Sequence, residues 1–250
     1  MTSNISKRPS YTWLPFGLRR VLDVGCAWGY DAARLLDKSE EVYGIDVNAK
    51  NILRAKELFP TLHLQQCGAE NLPYQDFFFD GVILSEVLEH VIDENKTLNE
   101  IYRVLKPGGL LVLEVPHRGL FAFLDPANQK FYVKKYFPRA FKLFVARKLK
   151  HNVNYNPKLA CGIHRHYSLA GIRLLLDHAG WKSGYVIKRI WRHGLVAGPL
   201  LGIIRAALRL FIGEKLIAKL LSPFLSISKF ENRVSFGPLS YQLAILIQKQ

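Results

Sequence analysis

The first 116 residues alternate between short, β-branched apolar runs and longer stretches whose apolar positions recur every three or four residues. Runs of the first kind occupy residues 21–25, 42–47, 62–67, 80–85 and 110–115. Helical spacing falls at 31–36, 49–59 and 93–105, the last behind a short segment at 86–91. Strands that alternate with helices need crossover connections, so this order predicts a parallel sheet with helices on both faces. Lys106-Pro107-Gly108-Gly109 is predicted to end the third helix and turn the chain into the fifth strand, because Pro cannot continue a helix and Gly accepts a positive φ.

Beyond residue 116 the pattern changes. Residues 117–165 are irregular, basic and aromatic. Ser168 reads as the N-cap of a helix ending near Ala179-Gly180, residues 181–191 contain a strand, and 241–248 form a last one. Between them, 194–238 is an apolar and basic insertion. With Gly213 as a break, Arg205 and Arg209 share a helical face opposite Ile203, Ile204, Ala207, Leu208 and Phe211. After it, Lys215 and Lys219 oppose Leu216, Ile217, Leu220 and Leu221. Two short amphipathic helices with basic polar faces suit an anionic membrane surface, or a cap on the protein's own core. The longest uncharged runs, 194–204 and 234–248, fall short of the roughly 18 residues of a membrane span.

The balance of 49% hydrophobic and 22% charged residues excludes disordered and low-complexity classes. The net charge of +15 over 250 residues is unevenly spread. Residues 1–116 are net −4, residues 117–166 net +10 and residues 167–250 net +9. An acidic front joined to a basic rear suggests two different ligands. Three cysteines without a CxxC pair indicate a reducing compartment and no structural zinc. Residues 1–20 lack the apolar core of a signal peptide, so the expected location is the cytoplasm, with peripheral attachment to the inner face of the membrane as its extension.

The chemistry begins after the first strand. Gly25, Ala27 and Gly29 lie between strand and helix, where small residues let the backbone approach a ligand at the carboxyl edge of the sheet. Alone, this fits a plain tight turn or a nicotinamide dinucleotide site. Asp46, which ends the second strand 21 residues after Gly25, is placed to accept hydrogen bonds from ribose hydroxyls.

Five ordered segments closely resemble class I S-adenosylmethionine (SAM)-dependent methyltransferases, in the branch that includes ubiquinone/menaquinone-biosynthesis and other small-molecule enzymes. They are residues 21–29, 43–46, Gly68-Ala69-Glu70-Asn71-Leu72-Pro73, 79–91 and 105–109, with a weaker match from His166-Tyr167-Ser168 to Trp181. The resemblance implies a single Rossmann-like α/β domain over 1–250, with a seven-stranded, mostly parallel sheet whose last strand is antiparallel. Within it, 21–116 would be the SAM-binding core, 117–167 a basic aromatic substrate lid and 194–238 a helical insertion before the last strand. It also implies that Asp23, Gly25, Ala27 and Gly29 line the methionine part of SAM and that Asp46, with Val47, holds the ribose. Ala69 and Glu70 would lie near the adenine and Ser85 below the sulfonium. Gly68 departs from many relatives, whose Asp at that place binds the adenine amino group.

Methyl transfer from a sulfonium is an in-line displacement, and a general base is needed only where the acceptor must lose a proton. His90 beyond the fourth strand, His117 beyond the fifth and His166 before the next helix are the candidate catalytic residues; His164 and Tyr167 lie beside the last. Each histidine has a structural alternative, packing a loop or meeting a substrate phosphate. Glu86, Glu89 and His90 would converge on a metal if they shared a helical turn, but the assignment adopted is a site without metal. The expected acceptor is a lipophilic or anionic small molecule or lipid, such as a quinone precursor or lipid-linked sugar. An RNA methyltransferase is the alternative, favoured by charge and aromatics. Ser85-Glu86-Val87-Leu88 does not resemble the Asn/Asp-Pro-Pro-Tyr motif of base-amino methyltransferases, which makes nucleic acid the weaker partner. A SAM-binding, membrane-docking module without catalysis is the third reading. Oligomeric state is not legible.

Overall fold

The computed structural model describes residues 9–119, 165–194, 212–231 and 234–250, together with positions 136, 138, 139, 200, 201, 204, 205 and 208. The expected lid at 117–167, His164 included, lies almost wholly outside the described residues.

In chain order the strands are β1 (Leu18–Val24), β2 (Ser39–Asp46), β3 (His63–Gln66), β4 (Phe79–Ser85), β5 (Leu105–Pro116), β6 (Tyr185–His193) and β7 (Gln242–Lys249). The helices are α1 (Tyr30–Ala33), α2 (Ala49–Leu58), α3 (Glu94–Val104), α4 (Leu169–His178) and α5 (Glu214–Glu231). One seven-stranded sheet has the order β3-β2-β1-β4-β5-β7-β6. The pairs β1·β2, β2·β3, β1·β4 and β4·β5 are parallel, and β7 runs antiparallel to β5. Successive strands grow outward from β1 in one direction and, after β4, in the other; the carboxyl edge at β1/β4 is therefore the switch point where open α/β sheets take ligands.

The central strands are buried on both faces, which is why they read as nearly unbroken apolar runs. On one face Leu22, Val24, Val82, Leu84 and Leu113 pack with Leu98 and Ile101 of α3 and with Trp181. On the other, Val21, Ile83, Val112 and Ala244 pack with Leu35, Ala55 and Trp13. Capping follows the sequence signals. Asp93 accepts from the amide of Lys96 at 2.9 Å, and Ser168 from that of Gly171 at 3.0 Å, opening α3 and α4. Trp181 is fully buried, and its Nε1 donates to the carbonyl of Leu98 at 3.0 Å.

Two local expectations change. The Lys106–Gly109 turn is absorbed into β5 as a bulge: Leu105 already pairs with Phe79, and the next pair is Gly81 with Leu110. Gly108 supplies the positive φ of 77°, and Lys106 Nζ is drawn to Asp80 Oδ1 at 2.5 Å. The first helix is shorter than its apolar spacing implied. After Ala33 the chain tightens through i→i+3 bonds, Leu35 N to Ala32 O at 2.9 Å and Leu36 N to Ala33 O at 3.3 Å, and so reaches β2 sooner.

The chain divides into two compact units. The first holds residues 1–117, 167–192 and 242–250; the second holds 118–166 and 193–241. Within the second, the Gly213 carbonyl accepts from Leu216 N and Ile217 N at 3.1 Å, marking the expected break. The helix that follows is 18 residues long instead of short, and runs through Pro223. Gly194 N donates to Glu231 O at 3.2 Å and Tyr241 N to Gly194 O at 2.8 Å, closing the segment.

Candidate functional site

At the end of β1 the backbone enters the left-handed region three times in five residues, with φ of 77° at Gly25, 47° at Ala27 and 79° at Gly29. A Cβ on Gly25 would overlap the side chain of Val87, so this turn and the one after β4 meet backbone to side chain. A Cβ on Gly29 would sit 3.2 Å from Phe59 and 3.3 Å from Ala55, where α2 closes on the turn. Ala27 is the costly member, since a left-handed conformation costs a Cβ-bearing residue roughly 1–2 kcal/mol. Its amide donates to Asp46 Oδ2 at 3.0 Å. The other oxygen, Oδ1, accepts Asn48 N at 2.7 Å and Asn51 Nδ2 at 3.3 Å. Asn51 Oδ1 in turn takes Trp28 Nε1 at 3.1 Å. Asp46 thus braces both the glycine turn and the start of α2. With about four acceptor positions on a carboxylate and three bonds made, it retains capacity for one ligand hydroxyl.

Beside Asp46, Val47 is 70% exposed at the end of β2. A Cβ on Gly68 would lie 3.1 Å from Glu70 Oε2 and 3.9 Å from Val47. Glu70 Oε1 accepts the amide of Ile92 at 2.9 Å, tying the loop after β3 to the loop after β4. Ile92 is 93% exposed. A carboxylate flanked by two exposed apolar side chains thus occupies the place where Gly68 lacks the usual Asp. Ile92 was missed from sequence, although an apolar residue stranded between turns was its signal.

Three expected site residues form the floor of this edge. Asp23 is buried, and its Oδ1 accepts the Tyr11 hydroxyl at 2.9 Å. Ala69 packs in the core, and buried Ser85 donates to Glu114 Oε2 at 3.1 Å. The backbone after β4 is strained at Glu86, whose φ is 57°, and its amide donates to Glu114 O at 2.9 Å. With its amide turned to donate, Gln242 reaches Glu86 Oε1 at 2.9 Å and Val115 O at 3.0 Å. Strain held by surrounding bonds at a sheet edge is a mark of functional turns, and neither Glu114 nor Gln242 was singled out by the sequence.

The candidate histidines are dispersed. His90 has a side chain 63% exposed, with Nε2 3.9 Å from Glu89 Oε1, while the Glu89 side chain is buried. His117 is buried and bridges to Tyr167, whose hydroxyl donates to Glu94 Oε1 at 2.5 Å. His166 belongs to the second unit, with its ring 6.5 Å from that of Tyr241. The helical turn needed for Glu86, Glu89 and His90 to share a face does not form, because Glu86 is left-handed and Glu89 points inward. Among the described residues no group of three His, Cys, Asp or Glu is disposed to hold a metal. Burial pushes the Cys26 thiol far up, with Asp23 and Asp46 adding to it, and pushes Cys67 up to about 11. Both stay protonated at neutral pH, so neither is an activated nucleophile.

Residues 22–113 match the methyltransferase domain family. The ubiquinone/menaquinone biosynthesis C-methyltransferase UbiE of Pectobacterium atrosepticum is 42% identical over 106 residues, covering 38% of this chain and 42% of the relative. UbiE of Haemophilus ducreyi is 30% identical over 177 residues, covering 66% of this chain and 65% of the relative. Residues 22–113 thus carry a SAM-dependent methyltransferase domain. The chain spans less than two thirds of either relative's length. In fold it is similar to a SAM-dependent methyltransferase of Mesorhizobium loti, with a TM-score of 0.58 and 16% identity over 98% of this chain and 99% of that one.

The cofactor of this methyltransferase family is SAM, and the observed edge fits it. The left-handed turn at residues 25–29 carries exposed Ala27 at the sheet edge, Asp46 retains an acceptor position, and Val47 offers an exposed apolar face beside Gly68. Those are the needs of an amino-acid tail, a ribose and an adenine respectively.

Proposed function

We propose that the protein transfers the methyl group of SAM to a lipophilic or anionic small-molecule or lipid acceptor of the quinone-precursor type. The observation that carries the reading is the Asp46 brace, which fixes a strained turn at the switch point while keeping an acceptor free for a ribose. The acceptor class is suggested by the two UbiE relatives, which are C-methyltransferases of ubiquinone/menaquinone biosynthesis. SAM supplies an electrophilic methyl on a sulfonium, so the chain's own task is positioning. In this reading Gly25, Ala27 and Gly29 present backbone to the methionine moiety. Asp46 and Val47 orient the nucleoside, and Glu70 stands in for the missing Asp at 68.

An acceptor carbon or phenol must also shed a proton. His90, exposed at the edge beyond β4 with Nε2 3.9 Å from Glu89 Oε1, is the proposed group to accept it. His117, buried and bridged to Tyr167, is proposed to orient the loop after β5. The test is transfer of radiolabelled methyl from SAM into a total extract, separated into lipid, small-molecule, RNA and protein fractions. Label in the lipid or small-molecule fraction is expected and should fall at least about a hundredfold with His90→Ala, the low end of general-base effects. Label confined to RNA, or SAM bound with no transfer, overturns the reading.

A further inference from the structure

Helix α5 leaves a long apolar face uncovered. Over its 18 residues, Leu216, Leu220, Phe224, Ile227 and Phe230 recur at steps of four, four, three and three and so fall on one side. All five are 49–64% exposed, whereas Ile217 and Leu221 on the adjoining side are buried. Among the described residues of the helix, Ile217 and Leu221 seat it, and a separate stripe faces outward. Pro223 does not break it. The Lys219 carbonyl, which a proline nitrogen cannot satisfy, accepts the Ser222 hydroxyl at 2.9 Å. Leu200 and Ile204, with exposed Arg205 beside them, add apolar surface in the same compact unit.

Charge decides what covers this stripe. Residues 118–166 and 193–241, the second unit, hold 17 Lys/Arg against Asp125, Glu214 and Glu231. That net of +14 is nearly the whole of the chain's +15. A second copy seated on the stripe would bring two such units together against their repulsion. A nucleic acid would meet the cations but leave five large apolar side chains in water. An anionic bilayer answers both, with headgroups for the lysines and arginines and the acyl boundary for the stripe. Among the described residues no helix is long and apolar enough to cross a membrane. At about 1.5 Å per residue α5 is about 27 Å long, and in sequence lysine recurs along it at positions 215, 219 and 229.

We propose that α5 lies in the plane of an anionic membrane, with Leu216, Leu220, Phe224, Ile227 and Phe230 inserted below the headgroups. The inference does not depend on the methyl-transfer reading, since it uses only the second unit. The experiment is co-sedimentation of the full chain with phosphatidylcholine vesicles, with and without phosphatidylglycerol. Sedimentation with the anionic vesicles is expected, at least about tenfold stronger than with phosphatidylcholine alone in low salt. The variant Leu220→Ser/Phe224→Ser/Ile227→Ser alters only exposed positions and should lower the partition coefficient at least about tenfold. In parallel, Phe224→Trp keeps the stripe apolar and should show emission quenching by brominated lipid beyond that of the wild type. Wild type that ignores anionic vesicles overturns the proposal, as does a triple variant that sediments unchanged. So does a triple variant that instead turns a dimer into a monomer, or loses RNA binding. Calorimetry with SAM on the same samples reports on the first unit; loss of SAM binding with vesicle binding intact would count against the methyl-transfer reading alone.

Discussion

Replacing Asp46 with Asn keeps the side chain's shape and removes its charge and one of its two acceptor oxygens. In the native protein Oδ2 takes the Ala27 amide at 3.0 Å, and Oδ1 takes the Asn48 amide at 2.7 Å and Asn51 Nδ2 at 3.3 Å. The shorter bond selects the amide orientation, so the new NH2 faces the Ala27 N–H donor to donor. Hydrogen bonds to a charged group contribute about 1.5–3 kcal/mol each, and solvent access at this half-buried carboxylate argues for the lower end. Ala27 then holds its left-handed φ of 47° without the bond that offsets the strain. We expect a stability loss of about 2 kcal/mol, read as a fall in thermal midpoint. Affinity for SAM should fall further, because the ribose contact and the preformed turn fail together; about 2–4 kcal/mol corresponds to roughly 30- to 1,000-fold in Kd. Asn51→Ala is the control. It removes the longest of the three bonds and the Trp28 contact at 3.1 Å, touches no ligand, and should weaken SAM only a few-fold, by about 0.5–1.5 kcal/mol at most. Titration calorimetry of both variants decides the matter. Wild-type affinity in Asp46→Asn would refute the brace and the ribose assignment at once.

Two further predictions concern the frame around the site. Asp80 accepts Arg19 N at 3.1 Å, Arg20 N at 2.7 Å and Lys106 Nζ, joining β1, β4 and the β5 bulge. Burial raises its pKa, but Lys106 and the two amides outweigh that and hold the carboxyl below its ordinary value. A depressed folded pKa contributes stability above the unfolded value of about 3.9 and loses it as pH falls through the folded one. Asp80→Asn should therefore cost about 1–2 kcal/mol near neutrality, with the gap in melting temperature between variant and wild type closing under acid; a gap constant with pH would contradict the assignment. Cys67, pushed up to about 11 by burial, should react with iodoacetamide at neutral pH roughly a hundredfold more slowly than an ordinary thiol, as followed by mass spectrometry. Labelling at the ordinary rate would show that Cys67 is open to solvent.

The sheet and the cofactor edge were legible because periodicity and glycine placement act locally. Apolar strands 21–25 and 80–85 can only be central, and a strand-ending Asp46 some twenty residues after a glycine turn is placed by the βαβ unit itself. Bonds between distant segments left no such trace. Nothing near Ser85 announces that Glu114 on the neighbouring strand receives its hydroxyl at 3.1 Å, or that Gln242 on the last strand reaches Glu86 at 2.9 Å. Those partners are set by the register of β4, β5 and β7, and register is a tertiary quantity. The bulge at Lys106–Gly109 was misread for a related reason. Pro-Gly-Gly signals a turn, yet Leu105 was already paired with Phe79, so the same residues became an outward loop of a strand. The second unit shows the opposite imbalance. Its helical period foretold an amphipathic α5 but placed Leu216 and Ile217 on the same side. Tertiary seating separated them, burying Ile217 with Leu221 and leaving Leu216 with Leu220 in the exposed stripe. A helical wheel gives the order of faces; only packing says which apolar face is spent on the protein, and the one left over is the face that needs a partner.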